Sequence, residues 1–249
     1  MEYCKNCGTK LCDVYCSHCG QKAAAERITV RYVFHEFFHF FTHVEHGFLY
    51  TSWQLLIKPG KTVKEFIDGK RKIHQSLVSY FLIWTTIYIL FLYWIEKFFG
   101  ENVAINYKQY FGPDATTRFA MSHLSIVLIV VMPFQTLYLY LLVTRKQYYY
   151  FETLVATIYS LGTVILLQFV FALGAVLIHL LTGATADLRV SDAFKIIYIS
   201  WFIFDVIKLF PVNYKFLRAV VFIILAFGTF TLWRMYALPA VIDWLFLKG

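Results

Sequence analysis

The chain has 249 residues, of which 59% are hydrophobic, 20% aromatic and only 15% charged, with a formal net charge of +8. A mean hydropathy of +0.60 excludes an ordinary soluble domain. All five cysteines lie within residues 4–19, which excludes a disulfide framework spanning the protein and fits reduced thiols on the cytosolic side of a membrane. The start, Met1-Glu2-Tyr3-Cys4, lacks a basic n-region and a cleavable apolar core, so no signal peptide is expected and the first span directs insertion.

Cys4-Lys5-Asn6-Cys7-Gly8 and Cys16-Ser17-His18-Cys19-Gly20 are two C-x2-C-G knuckles with eight residues between them. Each aims two thiolates at one point, and its glycine supports the positive-φ turn that brings backbone N–H groups toward the sulfurs. Cys4, Cys7, Cys16 and Cys19 therefore predict a tetrahedral site for one Zn²⁺, with Cys12 left in the connecting loop. So short a stretch has no core without metal, and residues 1–24 are read as a zinc ribbon. A redox-active dithiol is the alternative, disfavoured because two matched units rarely form a redox pair.

Residues 28–75 are read as an amphipathic helix and a basic linker at the cytosolic membrane surface. From Thr29 to Phe48, at about 100° per residue, His35, His39, His43 and His46 fall within an arc of roughly 80°, opposite a face of valine and phenylalanine. Thr29 is the expected N-cap, Gly47 the expected end, and the inner membrane surface or the underside of the bundle the expected location. The four histidines are a candidate second metal site. His35-Glu36-Phe37-Phe38-His39 also matches H-E-x-x-H, in which two imidazoles bind zinc and the glutamate activates water. The extended motif is absent, since Thr42 and Glu45 stand where its Gly and third His belong, so a third ligand would be His43, Glu45 or a distant residue. A histidine-box di-iron oxygenase needs more histidines on one side than His74 adds, because His123 and His179 fall on or near the other side and His18 lies in a knuckle. The plain reading is an interfacial helix whose polar face is histidine.

Pro59-Gly60 breaks the helical run before it, Thr62–Ile67 can form a helical turn or two, and Gly69 ends that turn. With Lys58, the residues Lys61, Lys64, Lys70, Arg71 and Lys72 form a basic cluster expected to contact anionic lipid headgroups. A dedicated phosphate or phospholipid-headgroup site is the sharper alternative.

Residues 76–249 are read as a bundle of five spans, at about 76–96, 119–144, 152–182, 193–210 and 216–238. Pro133 interrupts the second, Asp205 and Lys208 make the fourth the least apolar, and Ala240 to Leu247 reads as a short interfacial helix after the fifth. Sixteen Lys and Arg residues fall on the N-terminal side of the membrane and six on the other, with Arg234 inside span five. That bias predicts a cytosolic N-terminus and an outside C-terminus. Gln135, Gln168, Asp205 and Arg234 are a candidate intramembrane polar site, against the plainer reading of helix–helix hydrogen bonds and interface anchors. Asp205 and Lys208, three apart, are placed to pair with each other. No selectivity-filter loop, half-helix pair or internal repeat is evident.

The order C-x2-C-G, C-x2-C-G-Q, Gly47-Phe48-Leu49-Tyr50-Thr51, Leu55-Leu56-Ile57-Lys58-Pro59-Gly60 and Phe66-Ile67-Asp68-Gly69-Lys70-Arg71 resembles an uncharacterised family of bacterial multispan membrane proteins, known only as a domain of unknown function. The family pattern often has proline shortly after Gly-Lys-Arg, where this chain has Ser76-Leu77-Val78. The resemblance implies a zinc ribbon and several spans, with no established activity. The five-span layout is also similar, in architecture alone, to Yip-type membrane proteins, which act through partners and lipids.

The expected fold class is therefore an all-α membrane protein with a small N-terminal zinc ribbon, an amphipathic interfacial helix and about five transmembrane helices. The expected function is a non-enzymatic protein of the bacterial inner membrane, whose cytosolic ribbon is a platform for protein or lipid partners. A small-molecule or lipid transporter and a metal-dependent membrane enzyme on His35, Glu36 and His39 are the alternatives. Zn²⁺ is the expected cofactor, membrane lipids and a protein bound by the ribbon are the expected partners, and no nucleic acid is expected.

Overall fold

The structure is a computed structural model that describes residues 3–23, 27–39, 47–99, 124–184, 188–233 and 236, with the backbone alone for 35–39, 96, 99, 124–127 and 188–189. Among the described residues it is all-helical: α1 (Val30–His39), α2 (Phe48–Ile57), α3 (Pro59–Ile67), α4 (Leu77–Phe99), α5 (Leu124–Leu139), α6 (Tyr150–Thr182), α7 (Leu188–Lys208) and α8 (Lys215–Leu232). A π-helical turn over Tyr140–Thr144 continues α5. Thr29 starts α1 as expected, its Oγ1 accepting from the Tyr32 N–H at 3.3 Å.

Helices α4 to α8 stand where the apolar runs predict spans. Among the described residues, three stretches are long and apolar enough to cross a membrane: Leu77–Ile95, Tyr150–Thr182 and Lys215–Leu232. The apolar part of α5, Leu128–Thr144, is shorter, and α7 is diluted by Asp192, Lys195, Asp205 and Lys208. The expected interfacial helix at 240–247 lies outside the described residues.

Helix α6 is the axis of the bundle, packing on α4, α5, α7 and the α2–α3 pair. Its 33 residues rise about 50 Å, more than a hydrocarbon core of about 30 Å, so it tilts or protrudes. The first half, through Leu166, is largely buried, whereas Leu173, Leu177, Leu180 and Leu181 in the second half are exposed. Between helices in lipid, close approach and hydrogen bonds replace the hydrophobic drive. Tyr80 OH lies 3.0 Å from Thr163 Oγ1, joining α4 to α6, and Thr136 Oγ1 donates to Thr157 Oγ1 at 3.0 Å, joining α5 to α6.

The α2–α3 pair is a helical hairpin wedged into one end of this bundle. Pro59, which lacks an N–H, ends α2 and occupies the first turn of α3, where no donor is needed. Gly60 lets that terminus abut α7: a Cβ there would stand 2.5 Å from the Asp205 carbonyl oxygen. The Gly60 N–H donates to Asp205 Oδ2 at 2.9 Å, placing a carboxylate at the positive end of α3. Asp205 thus does not pair with Lys208, whose ammonium lies 5.6 Å over the Trp201 ring. Trp84 Nε1 donates to Ser52 Oγ at 3.1 Å and Tyr198 OH to the Leu55 carbonyl at 3.4 Å. Trp84 sits seven residues into α4, about 10 Å along its axis, so α2 packs against the first two turns of α4. Within residues 28–75, α2 and α3 thus pack directly on α6 and α7.

The three basic segments assigned to the N-terminal side gather at one end of the bundle. Arg27 stacks 4.7 Å over Tyr149, Tyr148 OH donates to Asp68 Oδ1 at 3.2 Å, and the Tyr148 ring packs edge-on to Phe210 at 5.5 Å. Arg218 Nη1 donates to the Leu142 carbonyl.

Candidate metal centre and the turn beneath it

The two knuckles repeat one local geometry with a twelve-residue offset. Tyr3 bridges Lys10 and Tyr15 bridges Lys22 in antiparallel fashion. The Cys4 N–H donates to the Thr9 carbonyl at 2.8 Å and the Cys16 N–H to the Gln21 carbonyl at 2.9 Å. Gly8 and Gly20, at φ 75° and 71°, turn their N–H groups back to the Cys4 and Cys16 carbonyls, both at 2.8 Å. A side chain at either glycine would oppose that left-handed backbone.

Folding the knuckles face to face brings Cys4 Sγ within 3.6 Å of Cys19 Sγ and Cys7 Sγ within 3.5 Å of Cys16 Sγ. All four sulfurs lie within 4.8 Å of one another, and together they could hold a metal ion. A tetrahedral S4 site with metal–sulfur bonds of about 2.3 Å has sulfur–sulfur edges of about 3.8 Å, close to the Cys4–Cys19 and Cys7–Cys16 separations. Cys4 and Cys16 are buried, while Cys12 is exposed and outside the group. Thr9, whose Oγ1 lies 3.3 Å from Cys7 Sγ, holds that thiol down to about 5, whereas burial pushes Cys19 up to about 11. Four thiols so close share charge unequally, and a soft cation is what such a set accepts.

The ribbon is seated on the turn between α3 and α4. Gln21 donates through Nε2 to the Gly69 carbonyl at 2.7 Å, and its Oε1 accepts from the N–H groups of Arg71 and Lys72, each at 3.1 Å. Asn6, inside the first knuckle, accepts through Oδ1 from the Ile73 N–H at 3.2 Å. Gly69, at φ 107°, makes the bend that exposes these groups to the ribbon. The opposite side of the turn is tied to the bundle. Gln75 donates its N–H to Thr51 Oγ1 at 2.8 Å, and its carbonyl accepts from Tyr159 OH at 2.6 Å. His74 is buried with Nε2 3.4 Å from Glu65 Oε2, and burial holds its pKa below the ordinary value despite that carboxylate. His74 Nδ1 and both amide atoms of the Gln75 side chain are buried without a hydrogen-bond partner.

The basic linker splits by partner. Lys64 pairs with Asp68 at 2.5 Å and Lys70 with Glu65 at 3.3 Å. Arg71 folds inward, its Nε donating to the Phe66 carbonyl and its guanidinium 4.8 Å over the Tyr32 ring. Lys61 pairs loosely with Glu65 at 3.8 Å and stays largely exposed, as does Lys72.

Of the intramembrane candidates, the described Gln135, Gln168 and Asp205 stand apart. Gln135 neighbours Thr136, which bonds Thr157, and Gln168 lies eleven residues further along α6, about 16 Å of rise. Asp205 caps α3, and Arg234 lies outside the described residues, as do His43 and His46. His35, Glu36 and His39 lie on α1, of which only the backbone is described there. Sequence reading missed Asn6, Gln21 and Thr51 as positioning residues. The Gln21 that follows the second C-x2-C-G was the available signal.

No curated protein and no solved structure matches this chain. Residues 45–89, which hold the α2–α3 hairpin, the turn and the start of α4 but not the cysteine knuckles, match the model of a family described as a protein of unknown function (DUF3667).

Proposed function

We propose that the protein is a five-span protein of the bacterial inner membrane with Zn²⁺ in the Cys4, Cys7, Cys16 and Cys19 site. Its N-terminus is cytosolic, α7 completes the set of crossings, and the ribbon end of the bundle is a non-enzymatic platform for a protein or lipid partner. The observation that carries this reading is the seating of the cysteine cluster, through Asn6 and Gln21, on the basic turn at the mouth of the spans. Two matched knuckles with an S4 donor set favour zinc. The gathering of the basic segments at that end favours the cytosol, and exposed Lys61 and Lys72 fit anionic headgroups.

The transport reading needs polar groups converging between the spans, and the separation of Gln135 from Gln168 and the use of Asp205 as a helix cap weigh against it. In cells that depend on the protein, Glu36→Gln is expected to leave function intact and deletion of residues 1–24 to abolish it. Loss of function in a folded, membrane-inserted Glu36→Gln protein would overturn the platform in favour of an enzyme. Reporter fusions at the two ends should report opposite sides of the membrane, and two cytosolic ends would remove one crossing.

A further inference from the structure

We infer that the ribbon is a metal-dependent latch on the 69–73 turn, so that filling of the cysteine site is transmitted to the mouth of the span bundle. The inference rests on metal occupying that site but not on the identity of any partner.

Three consecutive backbone N–H groups, of Arg71, Lys72 and Ile73, have ribbon side-chain oxygens as partners, and the Gly69 carbonyl has a ribbon donor. These are the groups that a turn between two helices must satisfy somewhere. Here the partners come from 48 to 67 residues away in sequence, in a segment too short to fold without its metal. Loss of the metal therefore releases Asn6 and Gln21 together, because each is held in place by a knuckle.

The turn is shared between two bodies. On its other side Thr51 of α2 and Tyr159 of α6 hold Gln75, and Glu65 of α3 holds His74. Gly47, at the start of α2, has no room for even a methyl group against the backbone of residues 73–75. A change in the turn therefore reaches α2, α3 and α6 directly, and the buried, unpartnered Nδ1 of His74 and amide of Gln75 make its seating easy to disturb. A short segment held from both sides is what coupling between two sites requires.

The test is hydrogen–deuterium exchange, read by mass spectrometry, on the full chain purified in detergent with its metal. Stripping the metal with a chelator is expected to speed exchange of peptides covering 69–75 at least tenfold. Peptides from residues 161–172 of α6 should not change, and returned Zn²⁺ should restore protection. Gln21→Ala is expected to keep its metal yet exchange faster at 69–75, by less than the stripped chain because Asn6 still holds the Ile73 N–H. Unchanged protection at 69–75 after metal removal would overturn the latch, as would unchanged protection in metal-loaded Gln21→Ala. Loss of metal from Gln21→Ala would also overturn it, because Gln21 would then serve the fold of the ribbon itself. A chain that carries no metal as purified would instead remove the zinc reading on which the latch rests.

Discussion

At Gly47, Gly60 and Gly162 a methyl group added to glycine has nowhere to go, while in the far half of α6 and along α8 it meets open space. At Gly60 it would stand 2.5 Å from the Asp205 carbonyl oxygen, and at Gly162 2.7 Å from the Tyr80 ring; at Gly174 and Gly228 nothing lies within 4 Å. The same asymmetry runs through the side chains. Glu152 through Leu166 are largely buried among tyrosines and threonines from α4 and α5, whereas Leu177 and Leu181 are more than half exposed. Lipid accepts apolar exposure without cost, so the far half needs only the right composition. The ribbon end must satisfy helix termini, a turn and charged groups, and it does so through long-range bonds to individual residues. Among the described residues, constraint is concentrated at the ribbon end.

The strongest way to break that picture is at the cysteines. On the proposed zinc reading, the wild-type chain carries one metal ion, and a Cys16→Ser, Cys19→Ser protein is expected to carry none and to lose ribbon folding linked to roughly 10 kcal/mol of binding. Cys12→Ser should keep the metal. Elemental analysis of the purified proteins decides this, and metal retained by the double variant would sink the assignment.

Next comes the glycine contrast itself. Gly60→Ala is expected to lower stability by about 3 kcal/mol, because backbone stands in the way of its Cβ. Gly174→Ala should be neutral or gain up to about 1 kcal/mol from helix propensity. Thermal melts in one detergent compare the two, and equal effects would mean that α2–α3 is not wedged against α7.

A single hydrogen bond tests the turn. Tyr159→Phe removes the donor to the buried Gln75 carbonyl and should cost about 1–2 kcal/mol. No change in the melting temperature would show that the turn is not anchored to α6.

The smallest effect is the pH dependence. Burial lowers the pKa of His74 from its ordinary 6.5, so the folded state disfavours the charged imidazole. Stability is then flat in this group above pH 6.5 and falls as pH drops below it, by at most about 1.4 kcal/mol per pH unit. His74→Gln should flatten that part of the profile between pH 6.5 and 5. An identical slope in wild type and variant would place the titration elsewhere.

The sequence by itself determined what depends on local spacing and composition. Two C-x2-C-G units bring four thiolates together because each knuckle is built from its own few residues, and the twelve-residue offset is visible in the letters. The apolar runs located α4 to α8, and Pro59-Gly60 marked the break between α2 and α3, since a missing N–H and a missing Cβ act locally. Tertiary structure alone decided what those elements touch. The i,i+3 spacing suggested that Asp205 pairs with Lys208, but the N-terminus of α3 offers the carboxylate an unsatisfied N–H and a favourable dipole, and it goes there instead. Lys64, Lys70 and Arg71 read as one basic cluster with Lys61 and Lys72, yet Asp68, Glu65, Phe66 and Tyr32 hold the first three on the protein. The seating of the ribbon on residues 69–73 left almost no trace in the sequence, because its donors are backbone N–H groups that every residue type but proline carries. Only packing could determine which distant oxygens they meet.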